Sequence, residues 1–267
     1  MDLMYCPGMV SSGHTTPPAF VMLAAHPLRW QLLAELATGD LRVRDLVSLV
    51  DQPQNLVSYH LRLLRNGGLV GAGRSSFDGR DSYYHLDLDR CAKALSGAGG
   101  RLHPALGLEA PPPSALVFDQ PPPAVLFACT GNSARSPIAE ALLRHHTAGR
   151  VEVASAGSHP RPHIHPTAVR VLRDEYGIDI AGQHPRHLDT LTDRRFDYVI
   201  SLCDKVREVC PNFPDQPRLI HWSIPDPATD DSGDPDNHAV FRRTAAAINT
   251  RIRHLLSVLA HAQEAQA

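Results

Sequence analysis

Residues 124–143 read AVLFACTGNSARSPIAEALL, and they predict a buried strand, a short loop and a helix in direct succession. The apolar run ends at Cys129, and a glycine-bearing loop leads to a helix that begins at Ser136 or Pro137. A thiol at this point meets loop N–H groups and a helix N-terminus, both of which favour negative charge. We therefore expect a lowered pKa for the Cys129 thiol and a tetrahedral oxyanion bound beside its sulfur. Arg135, at the end of the loop, can hold the same anion through two N–H groups.

The bulk composition is typical of a globular chain with two domains. Its 267 residues suffice for two separate cores. The net charge of −2 excludes a basic coat over the whole surface but leaves room for a local patch that binds nucleic acid. No apolar stretch reaches the length of a membrane span. Five cysteines and an N-terminus that does not resemble a secretion signal favour the cytoplasm, where thiols can react or sense.

Changes in composition divide the chain into four segments. We predict a flexible tail over 1–18, a mainly helical domain over 19–96, a Gly/Pro-rich linker over 97–123 and an α/β domain over 124–262. Two runs of three prolines in the third segment suit a semi-rigid exposed connection.

The second segment has the order of a winged helix-turn-helix. Helical spacing of leucines and valines covers 27–39, 43–50 and 53–65. Two strand-like runs, 69–72 and 82–86, follow, and the loop between them contains the turn signal Asp-Gly. This order predicts three helices followed by a β-hairpin.

In the last segment strands and helices alternate. AVLFAC, VEVAS, FDYVISLC and RLIHW are the strand candidates, and helical patterns cover 137–146, 166–176, 204–209 and 239–260. This alternation predicts a small four-stranded parallel sheet with helices on both faces. Ligands of such sheets bind at the carboxyl ends of the strands, where Cys129 falls.

The run CTGNSARS, 129–136, resembles the phosphate-binding loop of low-molecular-weight protein tyrosine phosphatases and of the arsenate reductases built on that fold. The resemblance extends over 124–260 and includes Glu140, the Ser-Ala-Gly at 155–157 and the Asp-Pro pair that begins at Asp226. It implies an oxyanion loop made of Thr130, Gly131, Asn132, Ser133, Ala134 and Ser136.

The same resemblance assigns a role to each reactive side chain. Cys129 is the nucleophile and Arg135 holds the oxyanion. Asn132 braces the loop, the Ser136 hydroxyl stabilises the thiolate, and Asp226 is the general acid that protonates the leaving oxygen.

Two further cysteines distinguish a reductase from a phosphatase. Cys203 ends a predicted strand, and Cys210 follows after two turns of predicted helix, a separation of about 10 Å. Because a disulfide cannot span that distance, pairing requires the segment between them to unwind or loop out. A buried structural role for Cys203 and an incidental one for Cys210 stay open.

This pair is similar to the relay cysteines of thioredoxin-coupled arsenate reductases. The similarity implies that Cys129 attacks arsenate and that Cys203 then displaces arsenite to form a Cys129–Cys203 disulfide. Cys210 next attacks Cys203, and thioredoxin or a similar external dithiol reduces the resulting disulfide.

We expect no bound cofactor and no resident metal. The segment GQHPRHL, 182–188, lacks the carboxylate with which some of these reductases bind potassium, and Arg186 or His184 can supply positive charge directly. The histidines within 159–166 are interrupted by prolines, which is typical of a solvated loop rather than a zinc site.

Residues 20–95 resemble the ArsR/SmtB-type winged-helix repressors, chiefly through the run VSYHLRLLRNGGLV and the hairpin after it. The resemblance implies operator DNA as a partner and a homodimer formed through the first helix and the helix after the wing. Residues 41–46, LRVRDL, lack the Cys-x-Cys pair of many arsenic-sensing members, so the inducer stays open. We predict that base edges and phosphates are contacted by Gln54, Asn55, Ser58, Tyr59, His60, Arg62, Arg74 and Arg80.

Three functions are compatible with these patterns. The first is a bifunctional arsenic-resistance protein in which a DNA-binding transcriptional regulator is fused to an arsenate reductase, and we favour it. The second keeps the fold but makes the enzyme a protein tyrosine phosphatase that acts on phosphate esters. The third is a regulator whose second domain only senses oxyanions.

Overall fold

The structure, a computed structural model, describes residues 16–77, 79–103, 106–107, 122–209, 213–228 and 237–261. Within these ranges the chain forms an N-terminal helical domain with a small antiparallel sheet and a C-terminal α/β domain with a parallel sheet of four strands. The predicted fold class is therefore confirmed. Most of the predicted tail, much of the predicted linker, and Cys210 lie outside the described residues. No helix in the described part of the chain is long and apolar enough to cross a membrane.

The described part of the N-terminal domain contains five helices and three short strands. The helices are α1 (Ala19–Ala24), α2 (Pro27–Leu36), α3 (Val43–Val50), α4 (Gln54–Asn66) and α5 (Leu88–Leu102). The strands are β1 (Leu41–Arg42), β2 (Val70–Arg74) and β3 (Ser82–Leu86), in the order β1-β3-β2. We call β2, β3 and the loop between them the wing.

Helix α4 follows its apolar spacing. Val57, Leu61 and Leu64 are buried in the core of this domain, at intervals that place them on one face of the helix. The wing pairs as an antiparallel hairpin, with Ala72 opposite Tyr84. These elements match the helices and strands predicted for 43–50, 53–65, 69–72 and 82–86 to within two residues.

Helix α5 continues into the segment predicted as the linker. The Asp87 carboxylate caps it by accepting the backbone N–H of Arg90 at 3.0 Å, and the helix runs to Leu102. Its glycines are explained in part by packing, because a Cβ at Gly99 would overlap the carbonyl oxygen of Leu106. Residues 97–102 are therefore helical, and the predicted start of the linker at 97 is wrong.

The C-terminal domain has the predicted alternating order. Its strands are β4 (Ala124–Cys129), β5 (Glu152–Gly157), β6 (Tyr198–Ser201) and β7 (Arg218–His221), and its helices are α6 (Arg135–His146), α7 (Pro166–Tyr176), α8 (Asp204–Val209) and α9 (His238–His261). The strands lie in the order β5-β4-β6-β7, and every neighbouring pair is parallel. A short 3-10 helix, Leu188–Leu191, packs beside β5.

Strand β4 lies in the middle of the sheet and is buried at all six positions. Helix α6 and helix α7 pack on α9, and α8 contacts β4 and β6. The apolar core of the domain is therefore continuous from the sheet to the long last helix. This arrangement fixes the carboxyl ends of β4 and β6 side by side at one edge of the sheet.

Buried charge joins the two domains. Asp40, which precedes β1, is 1% exposed and accepts hydrogen bonds from both terminal nitrogens of Arg251 in α9, at 2.7 and 2.9 Å. The same carboxylate accepts the backbone N–H of Ser223 at 2.8 Å, and the Asp40 backbone N–H donates to the carbonyl of His221 at 2.8 Å. Further contacts join α8 to the wing. The domains are thus packed on one another and not merely connected by the linker.

We expect Asp40→Ala to lower the free energy of unfolding by about 3 kcal/mol, because it leaves the Arg251 guanidinium buried without its carboxylate. Asp89→Ala, which removes the more exposed ion pair with His254, is the matched control and should cost less than about 1 kcal/mol. Urea unfolding followed by the fluorescence of buried Trp222, which packs under Arg251, measures both. Equal losses would contradict a central role for the Asp40–Arg251 pair.

Candidate active site

The loop after β4 wraps around the sulfur of Cys129. This cysteine is 2% exposed, and its Sγ accepts the backbone N–H of Asn132 at 3.2 Å. The Ser136 hydroxyl lies 2.9 Å from the same sulfur. Helix α6 begins at Arg135, so its N-terminus points at the loop, as the sequence predicted.

Asn132 holds the loop in shape from within. Its φ of +43° is left-handed, a conformation that asparagine tolerates better than most residues. Its side-chain Nδ2 donates to the hydroxyls of Ser136 and Ser155, each at 2.9 Å, and its Oδ1 accepts the backbone N–H of Arg186 at 2.8 Å. Because Asn132 occupies an acceptor site on the Ser136 oxygen, that hydroxyl can direct its own hydrogen at the Cys129 sulfur.

The Ser-Ala-Gly motif supports the loop from the neighbouring strand. Ser155 accepts the hydrogen bond from Asn132, and a Cβ at Gly157 would lie only 2.6 Å from the carbonyl oxygen of Thr130. Glycine at 157 is therefore required for the loop to approach β5. Ser155 therefore supports the loop by a hydrogen bond, and Gly157 leaves the space that the loop occupies.

Arg135 reaches across the pocket to Asp226. Its side chain is buried, and its terminal nitrogens donate to Asp226 Oδ2 at 2.7 Å and to the carbonyl of Ile224 at 3.0 Å. The pair places one positive and one negative group over the loop. Arg135 and Asp226 therefore both line the pocket above the loop, where an anion could meet a cation and a carboxyl group.

The pocket around these groups has a volume of about 430 Å³. One wall is the segment after β5, which is held to the loop by three backbone hydrogen bonds. The His159 N–H donates to the Thr130 carbonyl at 2.9 Å, and the Arg161 N–H donates to the Gly131 carbonyl at 2.9 Å. The His165 N–H donates to the Ser133 carbonyl at 2.8 Å. Apart from the imidazole of His159, the lining contains no aromatic ring among the residues that the structure describes. The described lining carries two arginines, Arg135 and Arg161, against one carboxylate, Asp226, which suits a small oxyanion.

A second thiol lies at the same edge of the sheet. Cys203 follows β6, is 2% exposed, and has its Sγ 3.2 Å from the hydroxyl of Thr130, the residue after Cys129. The structure thus brings Cys129, Arg135, Asp226 and Cys203 together around one loop. Cys210 lies outside the described residues.

The expected direction of the Cys129 pKa is wrong. Burial raises the pKa of the thiol, and the charge of Arg135 and the hydrogen bond from Ser136 lower it without outweighing burial. The sequence showed the loop and the helix N-terminus but not the depth of the sulfur in the core. The thiolate therefore depends on the groups that oppose desolvation, and Ser136 is one of them.

Arg186, one of the two residues expected to supply positive charge beside the loop, contacts the loop through its backbone N–H. Glu140 is buried, its Oε1 accepts a hydrogen bond from Arg144 at 2.7 Å, and the Arg186 guanidinium lies 4.0 Å from its Oε2. His184 instead lines a separate cavity beside His163. Of the two residues predicted to supply positive charge, Arg186 is the one that faces Glu140. Among the described residues, no cluster of three histidine, cysteine or acidic side chains is placed to hold a metal.

On α4, the predicted DNA-contacting residues are not all exposed. Tyr59 is 48% exposed, whereas His60 is 5% exposed and its ring packs 4.4 Å from that of His26. The prediction that His60 is presented to DNA is wrong, because it shares the buried face with Val57, Leu61 and Leu64. The helical spacing of that face was the signal that could have excluded it. The positions that remain exposed or half-buried are Gln54, Asn55, Ser58, Tyr59, Arg62, Arg74 and Arg80.

Comparison with known proteins identifies relatives of both domains. Residues 124–265 match the family model of low molecular weight phosphotyrosine protein phosphatase, and residues 26–71 match that of bacterial regulatory protein, arsR family. An arsenate reductase of Halalkalibacterium halodurans is 36% identical over 129 residues, which are 48% of this chain and 91% of that protein. An arsenate reductase of Bacillus subtilis is 32% identical over 129 residues, with the same shares covered. The crystal structure of an arsenate reductase from Archaeoglobus fulgidus covers 50% of this chain and 98% of its own, at 33% identity and a TM-score of 0.41.

We expect the alkylation of Cys129 by iodoacetamide to increase with pH and to reach its midpoint above the ordinary value for a thiol, because burial raises its pKa. Ser136→Ala should move the midpoint further up and slow alkylation at neutral pH, because the hydrogen bond that favours the thiolate is lost. Mass spectrometry of the Cys129 peptide measures the rate. Ser133→Ala removes a pocket hydroxyl that does not bond the sulfur in the described structure, and it should leave the profile unchanged. An unshifted midpoint in Ser136→Ala would exclude this role for Ser136.

Proposed function

Because the chain belongs to the low molecular weight phosphotyrosine protein phosphatase family through residues 124–265, we propose that its C-terminal domain reduces arsenate to arsenite through three cysteines. The N-terminal domain is an ArsR-family helix-turn-helix domain, and we propose that it binds operator DNA as a transcriptional regulator. The relatives named arsenate reductase support the substrate, since the chain covers 91% of the first of them.

The observation that carries the reductase assignment is the position of Cys203. A phosphatase needs one thiol, because water completes its reaction, whereas a reductase must deliver two electrons. Here a second buried thiol lies 3.2 Å from the hydroxyl of the residue that follows Cys129. A second buried thiol that contacts the loop directly after Cys129 supports a role for Cys203 as the second nucleophile.

The first half of the proposed reaction uses the loop. The Cys129 thiolate attacks the arsenic of arsenate and displaces one oxygen, which leaves as water after Asp226 supplies a proton. Backbone N–H groups of the loop and the Arg135 guanidinium stabilise the negative oxygens of the adduct. The arsenic remains As(V) at this stage.

In the second half Cys203 attacks the sulfur of Cys129. The S–S bond forms as the S–As bond breaks, and its electron pair stays on arsenic, which leaves as arsenite. The two thiols thus lose two electrons and As(V) becomes As(III). Exchange with Cys210 then moves the disulfide to the Cys203–Cys210 pair, which an external dithiol such as thioredoxin reduces.

Hydrolysis of a phosphate ester is the second candidate, and the Arg135–Asp226 pair favours it because a general acid beside an anion site is what ester cleavage requires. The polar wall formed by His159 and Arg161 argues for a small inorganic oxyanion over an aryl phosphate, since no extended aromatic surface lines the described pocket. Because both reactions would use the same oxyanion loop, we nevertheless expect slow hydrolysis of an activated aryl phosphate.

The exposed face of α4 supports the DNA-binding proposal. Polar side chains at Gln54 and Asn55 begin the helix, Tyr59 projects from it, and the Arg62 guanidinium lies 6.0 Å from the Tyr59 ring centre. Such a face can present hydrogen-bonding groups to base edges and a cation to phosphate.

We expect Cys203→Ser to abolish multiple turnover of arsenate while hydrolysis of p-nitrophenyl phosphate stays within about threefold of wild type, because only the reduction needs a second thiol. Arsenate-dependent oxidation of NADPH, coupled through thioredoxin and thioredoxin reductase, measures the first activity. Cys91→Ala, which removes a buried thiol of the other domain, is the control and should leave both activities intact. Sustained arsenate turnover by Cys203→Ser would exclude the relay. If Cys203→Ser loses ester hydrolysis and wild type does not reduce arsenate, neither enzyme is favoured.

We expect Arg62→Ala to weaken binding to a duplex selected from a random library and to reduce the slope of log K against log salt by about 0.9, the value for one lost phosphate contact. Fluorescence anisotropy at several salt concentrations measures the slope. Arg242→Ala, on α9, removes a surface arginine of the other domain and should leave the slope unchanged. An unchanged slope in Arg62→Ala would remove this residue from the interface.

A further inference from the structure

Helix α8 presents one face to the N-terminal domain. Asp204, Arg207 and Glu208 stand at positions i, i+3 and i+4, which lie next to each other on a helix. All three side chains contact the N-terminal domain. The helix has only six residues, too few to be stable by itself, so it depends on its contacts.

Asp204 binds the wing. Its Oδ2 accepts hydrogen bonds from the Ser75 hydroxyl at 3.0 Å, the Ser76 backbone N–H at 2.7 Å and the Ser76 hydroxyl at 3.1 Å. Its Oδ1 accepts from the ring of His221 at 3.1 Å and from the Ser223 hydroxyl at 2.8 Å. The carboxylate is 2% exposed, so these bonds form away from water and any displacement leaves polar groups unpaired.

The rest of the helix face binds the sheet and helix beside the wing. Arg207 donates to Asp45 at 3.2 Å and lies 5.4 Å from the ring centre of Tyr83. Glu208 accepts a hydrogen bond from Arg42 at 3.2 Å. Helix α8 thus holds the wing loop and the Arg42 side chain of β1, while His221 of β7 contacts Tyr83 of the wing.

The same helix lies between two of the proposed relay cysteines. Cys203 is bonded directly to Asp204, and α8 occupies residues 204–209, up to the residue before Cys210. Seven helical residues span about 10 Å, whereas the Cα atoms of a disulfide are separated by roughly 4.4 to 6.8 Å. A Cys203–Cys210 disulfide therefore cannot form while α8 stays helical.

We propose that oxidation of Cys203 releases the wing, so that each cycle of arsenate reduction is transmitted to the DNA-binding domain through α8. This inference rests on the three-cysteine function proposed above. The two electrons that leave the thiols reduce As(V) to As(III), and one S–S bond replaces two S–H bonds. Unwinding of α8 then withdraws Asp204 from Ser75 and Ser76, and Arg207 and Glu208 from Asp45 and Arg42.

The release is local because the other contacts between the domains do not involve α8. Asp40 stays bonded to Arg251 and Ser223, Asp89 stays bonded to His254, and the Tyr83 ring of β3 stays 4.8 Å from that of His221. The wing loop at Ser75 and Ser76 and the Arg42 side chain therefore lose their partners in α8 while the domains remain together. A Ser76 N–H that is no longer bonded to Asp204 is free to donate to a DNA phosphate.

Amide hydrogen exchange of the full chain, followed by mass spectrometry, tests the proposal. The reduced protein is freed of reductant and treated with arsenate without thioredoxin, so that the disulfide accumulates. We expect the peptides that contain Ser76 and β1 to exchange roughly tenfold faster after arsenate. Peptides of α9 that contain Arg251 should not change, since their contacts do not depend on α8.

Variants separate the wing contact from the chemistry. The double change Ser75→Ala with Ser76→Ala removes two hydroxyl donors to Asp204 and leaves the Ser76 N–H bond, so wing exchange should be faster than in wild type before arsenate is added, while arsenate turnover is retained. Ser82→Ala, a wing serine that is not among the donors to Asp204, is the matched control and should behave as wild type. In Cys203→Ser, arsenate should leave wing exchange unchanged.

Counting free thiols in the same samples distinguishes failure of the coupling from failure of the proposed reductase function. Loss of two thiols per chain with unchanged wing exchange would overturn the coupling and leave the relay intact. Retention of all thiols together with absent turnover would overturn the proposed reductase function and the coupling with it. Faster wing exchange with loss of two thiols, absent in Cys203→Ser, supports the proposal.

Discussion

The parallel pairing of β4 with β6 is the constraint on which the proposed chemistry depends. Ala128 lies opposite Ser201, and the Leu202 N–H donates to the Ala128 carbonyl at 2.7 Å, so both strands end at the same edge of the sheet. Cys129 and Cys203 leave the sheet there. A shift of register by one residue would turn Cys129 to the opposite face and separate the two thiols. Because β4 is apolar and buried on both faces, this register depends on how its side chains pack rather than on alternating polarity.

Much of the fold and of the catalytic loop could be predicted from the sequence because local patterns encode them. The apolar strand, the loop and the helix start all fall within residues 124–143, and α3 and α7 were predicted to the residue. His60 was placed wrongly because its polar ring occupies a buried position that the helical spacing assigns to an apolar residue. The direction of the Cys129 pKa depends on burial by distant segments, which no local pattern contains.

The contacts between the domains were not predicted for a related reason. Asp40 and Asp204 stand where an acidic residue is common, in a loop and in the first turn of a helix. Neither position suggests a partner more than a hundred residues away in the chain. The proline runs of the linker indicated separation, yet buried pairs such as Asp40–Arg251 pack the two domains against each other. Long-range pairing of charges is thus the part of this structure that composition cannot reveal.

The ionisation of Asp204 determines what can open the wing contact. Burial alone would raise its pKa, but hydrogen bonds from His221, Ser223 and the Ser76 backbone outweigh burial, and the pKa lies well below its usual range. A carboxylate of this kind stabilises the folded state above its ordinary pKa of about 4, and loses that contribution only as pH falls through the lowered value. Near neutral pH it stays charged, so protonation of Asp204 itself does not release Ser76. Displacement of the carboxylate can release Ser76. Asp204 directly follows Cys203, the thiol that the proposed reaction oxidises.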